Sequence, residues 1–464
     1  MANCTITMKP YADGAFVSHM DIEIVFDKIT RAASTELFRF ALSTVTIPGC
    51  EPEGLSVTDE NGAVELSERD SSEYPYEYRI YTAGRKTHGS LAVRYTVRPV
   101  PYREGQRAGP YFDLKTEEGG ANTSGLSILP TLEKAGEFEG DIRLKWDMSE
   151  MPEGVKGVNT FGEGDIVHTG KFEDMRQSYY AFGNIKSITD GDFGFYWIAD
   201  TNFDAQAIAD YTKKLFSVMS PFFRDTESIY RIFVRKDPEK FPSSGGTALQ
   251  RSYMFGWNEN KPVNVEEKQN ILAHEMVHNW PNLNDEPYGI TTWYAEGTAE
   301  YYSIMLPLRA GLITKETALY EIQRRTDDYY CNPTRHLENM ESTRLAWKDR
   351  RAQKIPYGRG IFFLANCDVK MKEATDGKYG IDDVVLNILD LGRNGVTLGN
   401  EVFLAEVKKL SGLDLTEDWE IMRKGVHFAP LGEGFGGFFT VKEIEAKEAD
   451  TGLPCVSYIW ELKE

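Results

Sequence analysis

Cysteine is scarce in this chain, and long apolar runs are missing from it. Its five cysteines, Cys4, Cys50, Cys331, Cys367 and Cys455, are scattered over 464 residues with no CxxC or other paired spacing. That distribution excludes a disulfide framework and fits a reducing compartment. No stretch of about 18 apolar residues occurs, so no membrane-spanning helix is expected. The opening stretch MANCTITMKPYADG has neither the basic start nor the apolar core of a secretory leader. The expected location is the cytoplasm. Positive charge is also in deficit, with 52 Lys and Arg against 72 Asp and Glu, a formal net charge of −20. Nucleic acid and anionic membrane surfaces reward clustered Lys and Arg, so neither is expected as a partner.

What is present points to a folded chain of more than one domain. The hydrophobic share of 41% lies in the ordinary globular range, and 464 residues exceed the usual size of a single core. The first part alternates apolar and polar positions. Leu91, Val93, Tyr95 and Val97 share one face while Arg94, Thr96 and Arg98 take the other. The same period of two recurs at Tyr76, Tyr78 and Ile80, and at Ile142, Leu144, Trp146 and Met148. From about residue 200 the period turns helical, with Asp204 placed to cap a helix through Leu215 and with helical segments expected around 265–280, 293–306, 357–372, 382–391 and 402–411. Between them, a strand is expected at Ile229–Val234 and a single extended run at Ala248–Phe255. The boundary is therefore set at 194/195, with a β-rich, sandwich-like domain over 1–194, a mainly helical domain over 195–430 and a C-terminal extension over 431–464 packed on one of the two. The fold class is α+β multidomain.

The segment ILAHEMVHNW contains HExxH, which acquires meaning only on a helix, where residues four apart share a face. Asn264 with Glu267 three residues on has the form of a capping box, and Pro281 closes the far end. His274 and His278 then point the same way, about 6 Å apart at Cβ, a spacing suited to one small tetrahedral ion. A catalytic zinc takes three protein ligands and leaves a position open. The run TTWYAEGTAEYY offers the third in Glu296, one turn inside a helix that Thr292 can cap, with Glu300 one turn further on the same face. Glu275 is placed to act as general base. Glu300 is placed to accept a hydrogen bond from a ligating imidazole. An isolated HExxH can arise by chance on a surface helix, and the second motif, arriving after a workable loop, turns the reading toward a metal site. The remaining histidines, His19, His88, His168, His336 and His427, have no partner spacing and are expected to be packing or surface residues.

These residues resemble the gluzincin metallopeptidases, in particular the glycyl aminopeptidase family and, more distantly, the alanyl and leucyl aminopeptidases. The family pattern places W-x-x-E-G-x-x-x-Y after HExxH, matched here by Trp293, Glu296, Gly297 and Tyr301. The resemblance implies a β-rich N-terminal domain followed by a thermolysin-like catalytic domain. It implies one zinc ion per chain, held by His274, His278 and Glu296, and hydrolysis of a peptide or small amide. It assigns Tyr357, in IPYGRGIFFLANCDVKM, the donation of a hydrogen bond to the oxyanion, with Arg359 close by in sequence as a candidate substrate contact. The stretch GGTALQRSYMFG occupies the place of the family's Gly-rich strand, so Gly245, Gly246 and Gln250 are expected to bind substrate. Where the family carries a glutamate for the substrate's α-amino group, this chain has Leu249 and Gln250. The alternatives are an endopeptidase or non-peptide hydrolase on the same metal site, or a zinc-containing peptide-binding protein without catalysis. The basic run 344–354 reads as a solvated helix face, and GEGFGG at 432–437 as a turn.

Overall fold

The computed structural model describes residues 3–44, 47–103, 109–132, 136–240, 245–260 and 264–463. Met1 and Ala2, the start of the stretch read for a leader, lie outside them. Two compact units are present, one comprising 1–210 and 227–267, the other 211–226 and 268–464.

The alternating runs of the first unit become strands as expected. The largest of its sheets has seven strands, in the order Ile166–Lys171, Glu139–Trp146, Asn3–Asp13, Phe16–Phe26, Leu91–Val97, Glu53–Asp59 and Gly62–Ala63. Leu91, Val93, Tyr95 and Val97 all point into a core shared with Ile6, Ile24, Ile142 and Leu144, while Arg94 faces water. A four-stranded sheet carries Tyr76–Ala83, and two five-stranded sheets complete the unit.

One of these five-stranded sheets corrects the expected boundary. Its order is Lys186–Asp190, Phe193–Trp197, Tyr230–Lys236, Ser252–Trp257 and Gly246–Leu249. A cut at 194/195 would pass through the strand Phe193–Trp197, which pairs in parallel with Tyr230–Phe233. Backbone hydrogen bonding across the sheet therefore holds residues on both sides of that cut in one unit. The run Ala248–Phe255, read as continuous, is instead a hairpin. Leu249 pairs with Ser252, and the turn between them holds Arg251 at φ 55°.

The second unit is built largely from helices. Four frame its centre, named here for the residues they bring: the histidine helix Val265–Val277, the glutamate helix Thr292–Arg309, the arginine helix Lys315–Tyr330 and the tyrosine helix Ile355–Ala374. Asn264 starts the first as expected, its Oδ1 accepting from Glu267 N–H at 2.7 Å. The second begins at Thr292 itself, the expected cap, so the N-cap position falls one residue earlier at Thr291, with Asp285 accepting from its backbone and hydroxyl. The glutamate and tyrosine helices cross where glycine faces glycine. A Cβ on Gly360 would stand 2.1 Å from Trp293 O, and one on Gly297 would stand 2.6 Å from Gly360 Cα. Only hydrogen side chains allow that approach.

The arginine helix escapes a hydropathy reading because its buried face includes Arg325 and Thr326 beside Ala318 and Ile322. The C-terminal hairpin, Phe439–Lys447 with Pro454–Leu462, packs on this helix. Gln323 bonds Trp460 N–H and Tyr458 O along the hairpin's edge, and Trp460 Nε1 donates to Thr326 Oγ1. The expected extension thus belongs to the second unit. Arg344, Lys348, Arg350 and Arg351 of the basic run are exposed, and GEGFGG forms a short 3-10 turn.

Candidate metal centre

His274 lies in the last turn of the histidine helix and His278 just past its end, so the HExxH spacing delivers both rings to one side. Their Nε2 atoms stand 3.1 Å apart. Glu296, in the second turn of the glutamate helix, brings Oε2 to 3.3 Å from His274 Nε2 and 3.5 Å from His278 Nε2. The three atoms form a nearly equilateral triangle. Three N and O donors held about 2.0–2.2 Å from one tetrahedral ion stand about 3.3–3.6 Å from each other, so the triangle has the size zinc requires. Glu296 Oε2 is buried without a hydrogen-bond partner, a costly state for a carboxylate oxygen unless a cation faces it. Among the described residues no other trio of His, Cys, Asp or Glu meets the same test.

The electrostatics follow from crowding charge in a buried place. Burial opposes charge on His274, but Glu300, Glu296 and Glu275 outweigh it and push the imidazole up to about 10. Burial likewise opposes ionisation of Glu296, and His278 with His274 overcomes it, holding the carboxyl down at about 2. Glu275 goes the other way. Its burial raises it above the usual glutamate value against the pull of both histidines, and the charges of Glu296 and Glu300 add to the rise. Glu300 presents Oε1 to His274 Nδ1 at 3.4 Å. In the neutral imidazole that a bound cation would require, a proton on Nδ1 facing that carboxylate leaves the lone pair of Nε2 directed at the triangle.

Tyr357 enters from the first turn of the tyrosine helix, its ring parallel to His274 at 5.7 Å between centroids. Burial and the neighbouring Glu296, Glu275 and Glu300 hold its phenol well above the usual tyrosine value. The site thus brings together His274, Glu275, His278, Glu296, Glu300 and Tyr357, all within the second unit.

Other expected residues are placed elsewhere. Arg359 is fully buried, its guanidinium donating to Asn339 Oδ1, Arg335 O, Leu337 O and Tyr329 Oη. Those four acceptors occupy it, and the expectation of a substrate contact is corrected to a structural role. Gly245, Gly246 and Gln250 lie in the first unit. Gly246 opens the edge strand of its sheet, and Gln250 sits exposed in the hairpin turn, its N–H donating to Gln177 O. Leu249 packs on an apolar cluster with Tyr179 and Phe233. His168 bonds Asp174, His427 bonds Tyr458 and His19 stacks on Tyr11. Sequence reading passes over Arg325 and Asn270, which touch this site's surroundings, because it names no helix over 315–330 and gives Asn270 no role on the histidine helix.

Comparison with known proteins agrees with this geometry. Residues 267–357 match the family model described as M61 glycyl aminopeptidase, a span that contains the whole cluster. No curated protein matches. Among solved structures, an aminopeptidase N family protein from Idiomarina loihiensis aligns at TM-score 0.71 and 13% identity, over 95% of this chain and 79% of that one. An M1 zinc metallopeptidase from Deinococcus radiodurans aligns at 0.60 and 13%, over 93% and 94%. Leukotriene A4 hydrolase from Saccharomyces cerevisiae aligns at 0.55 and 11%, over 92% and 68%. At these identities the likeness is one of fold, a β-rich N-terminal part followed by a helical one. The chain is thus similar to the glycyl aminopeptidases across the stretch that holds the cluster, and similar in fold to the aminopeptidase structures along most of its length.

Proposed function

We propose that His274, His278 and Glu296 hold one zinc ion per chain and that Glu275 is the general base of peptide-bond hydrolysis. The triangle of donor atoms with edges of 3.1, 3.3 and 3.5 Å carries this reading. Zinc bound there supplies Lewis acidity toward a substrate carbonyl and toward an attacking water, whose pKa such an ion lowers from about 15.7 to about 7. Glu275 takes a proton from that water and returns it to the leaving amine. Its burial suits both steps, because a weaker acid is a better proton acceptor near neutral pH. Tyr357, kept neutral by burial and by the carboxylates around it, donates its O–H to the developing oxyanion. Glu300 keeps His274 in the tautomer that offers Nε2.

The substrate is a peptide or small amide. Strand Gly246–Leu249 is the edge strand of its sheet in the first unit. Leu249 and Gln250 supply no charge for an α-amino group. Discrimination for a free amino end is accordingly expected to be weaker than a carboxylate at that position would give. Among the described residues no helix is long and apolar enough to cross a membrane. All five cysteines are free thiols.

Metal analysis of protein purified without chelators is expected to return one zinc per chain. Glu275→Gln should retain that zinc and lose about 10²–10⁴ in kcat, the span typical of a general base. Hydrolysis at the parent rate by a zinc-loaded Glu275→Gln protein would remove the base assignment. An aminoacyl amide compared with its N-acetylated form tests the aminopeptidase reading, and equal kcat/KM for the two would overturn it.

A further inference from the structure

The buried charge one turn away from the metal donors has no role in the reaction as described. Arg325, on the arginine helix, is 3% exposed. Its Nε donates to Glu300 Oε2, and its Nη1 to Glu321 O at 2.9 Å and Glu321 Oε2 at 2.5 Å. Its Nη2 donates to Asn270 Oδ1 at 2.8 Å. The acceptors are not arbitrary. Asn270 stands four residues before His274 on the histidine helix, and Glu300 four residues after Glu296 on the glutamate helix. Each therefore shares a helix face with a metal donor, one turn away. Asn270 Nδ2 reaches Ser303 Oγ at 3.1 Å, and that hydroxyl donates to Glu300 O at 3.0 Å, so the two helices are also joined directly.

We propose that Arg325 is a positioning residue of the metal site, clamping Glu300 so that His274 keeps Nε2 free and the three donors keep their spacing. The inference rests on the reading of His274, His278 and Glu296 as metal donors. Glu300 offers one oxygen to His274 Nδ1 and the other to Arg325. Removing the guanidinium leaves a buried carboxylate with no cation at its second oxygen, an expensive state that rotation relieves. Rotation would deprive His274 of the acceptor that orients it. Lysine is a poor substitute. A single ammonium cannot address acceptors on the histidine, glutamate and arginine helices at once, whereas the planar fork does so without rearrangement.

Zinc affinity measured by competition with a fluorescent chelator on the zinc-free full chain tests this, with circular dichroism and thermal melts run on every variant. Arg325→Met is expected to weaken zinc binding about 10–100-fold, the usual consequence of losing a group behind a metal ligand. Arg325→Lys should recover part of that loss. In a Glu300→Gln background, Arg325→Met should cost less than about twofold more, because its route to His274 is already cut. Unchanged zinc affinity in a folded Arg325→Met protein overturns the proposal, and so does full additivity in the double variant, the mark of a merely structural arginine. Should Arg325→Met not fold, Arg325→Lys decides alone, a loss of at least about fivefold supporting the clamp and parent affinity overturning it. A parent chain that binds no zinc would instead overturn the metal reading itself.

Discussion

In the proposed reaction Glu275 is the base, and burial beside the candidate metal donors makes it a weaker acid than an exposed glutamate. The sign of the pH dependence follows. Burial, with Glu296 and Glu300, raises the Glu275 carboxyl in the fold. As pH falls through that raised value the group gains a proton and can no longer accept one, so activity is lost on the acid side. The acid limb of kcat/KM is expected above the ordinary glutamate range, and Glu275→Gln should lack it. A limb at or below the value of an exposed glutamate would contradict this. Much of the residue-level picture was legible beforehand. HExxH and the downstream glutamate carry their own spacing, because helical geometry turns four residues into one face. Arg359 was not legible, since position in sequence does not disclose that a guanidinium two residues from Tyr357 turns away toward Asn339 and three other acceptor oxygens.

At the level of elements, the crossing of the glutamate and tyrosine helices sets where Glu296 and Tyr357 stand. Gly297 and Gly360 make that crossing close, and Gly360 leaves a methyl no room against Trp293 O. Gly360→Ala is expected to destabilise the fold by about 1–3 kcal/mol or more, the range for overpacking a tight contact. It should also weaken zinc binding, because separating the helices moves Glu296. Denaturant unfolding with a parallel zinc titration measures both, and an alanine tolerated at parent stability would show that the helices are free to part. Gly297 was visible in the sequence as part of a motif, but its reason was not. Its partner, Gly360, lies 63 positions along the chain, and no local pattern announces that the two meet.

For the chain as a whole, the metal site is confined to the second unit, and so should be the effect of emptying it. Stripping zinc with a chelator removes a ligand that favours the folded state, about 4 kcal/mol when free zinc stands near a thousand times its Kd. Hydrogen exchange read by mass spectrometry is expected to show protection lost in peptides spanning 268–374. The seven-stranded sheet containing Asn3–Asp13 and Leu91–Val97 should exchange at unchanged rates. Protection lost equally in that sheet would mean that the units unfold as one.

The sequence by itself determined the alternating strands, the capped histidine helix and the three candidate donors, because period, cap and ligand spacing are local properties of a few neighbouring residues. It did not determine the unit boundary, which depends on Phe193–Trp197 pairing with a strand more than thirty residues away. Nor did it disclose the hairpin turn at Gln250, or Arg325 beneath Glu300 in a helix that no expected segment covers. Each of these depends on which distant segment supplies a hydrogen bond or takes up a charge, and that is decided only when the chain is packed.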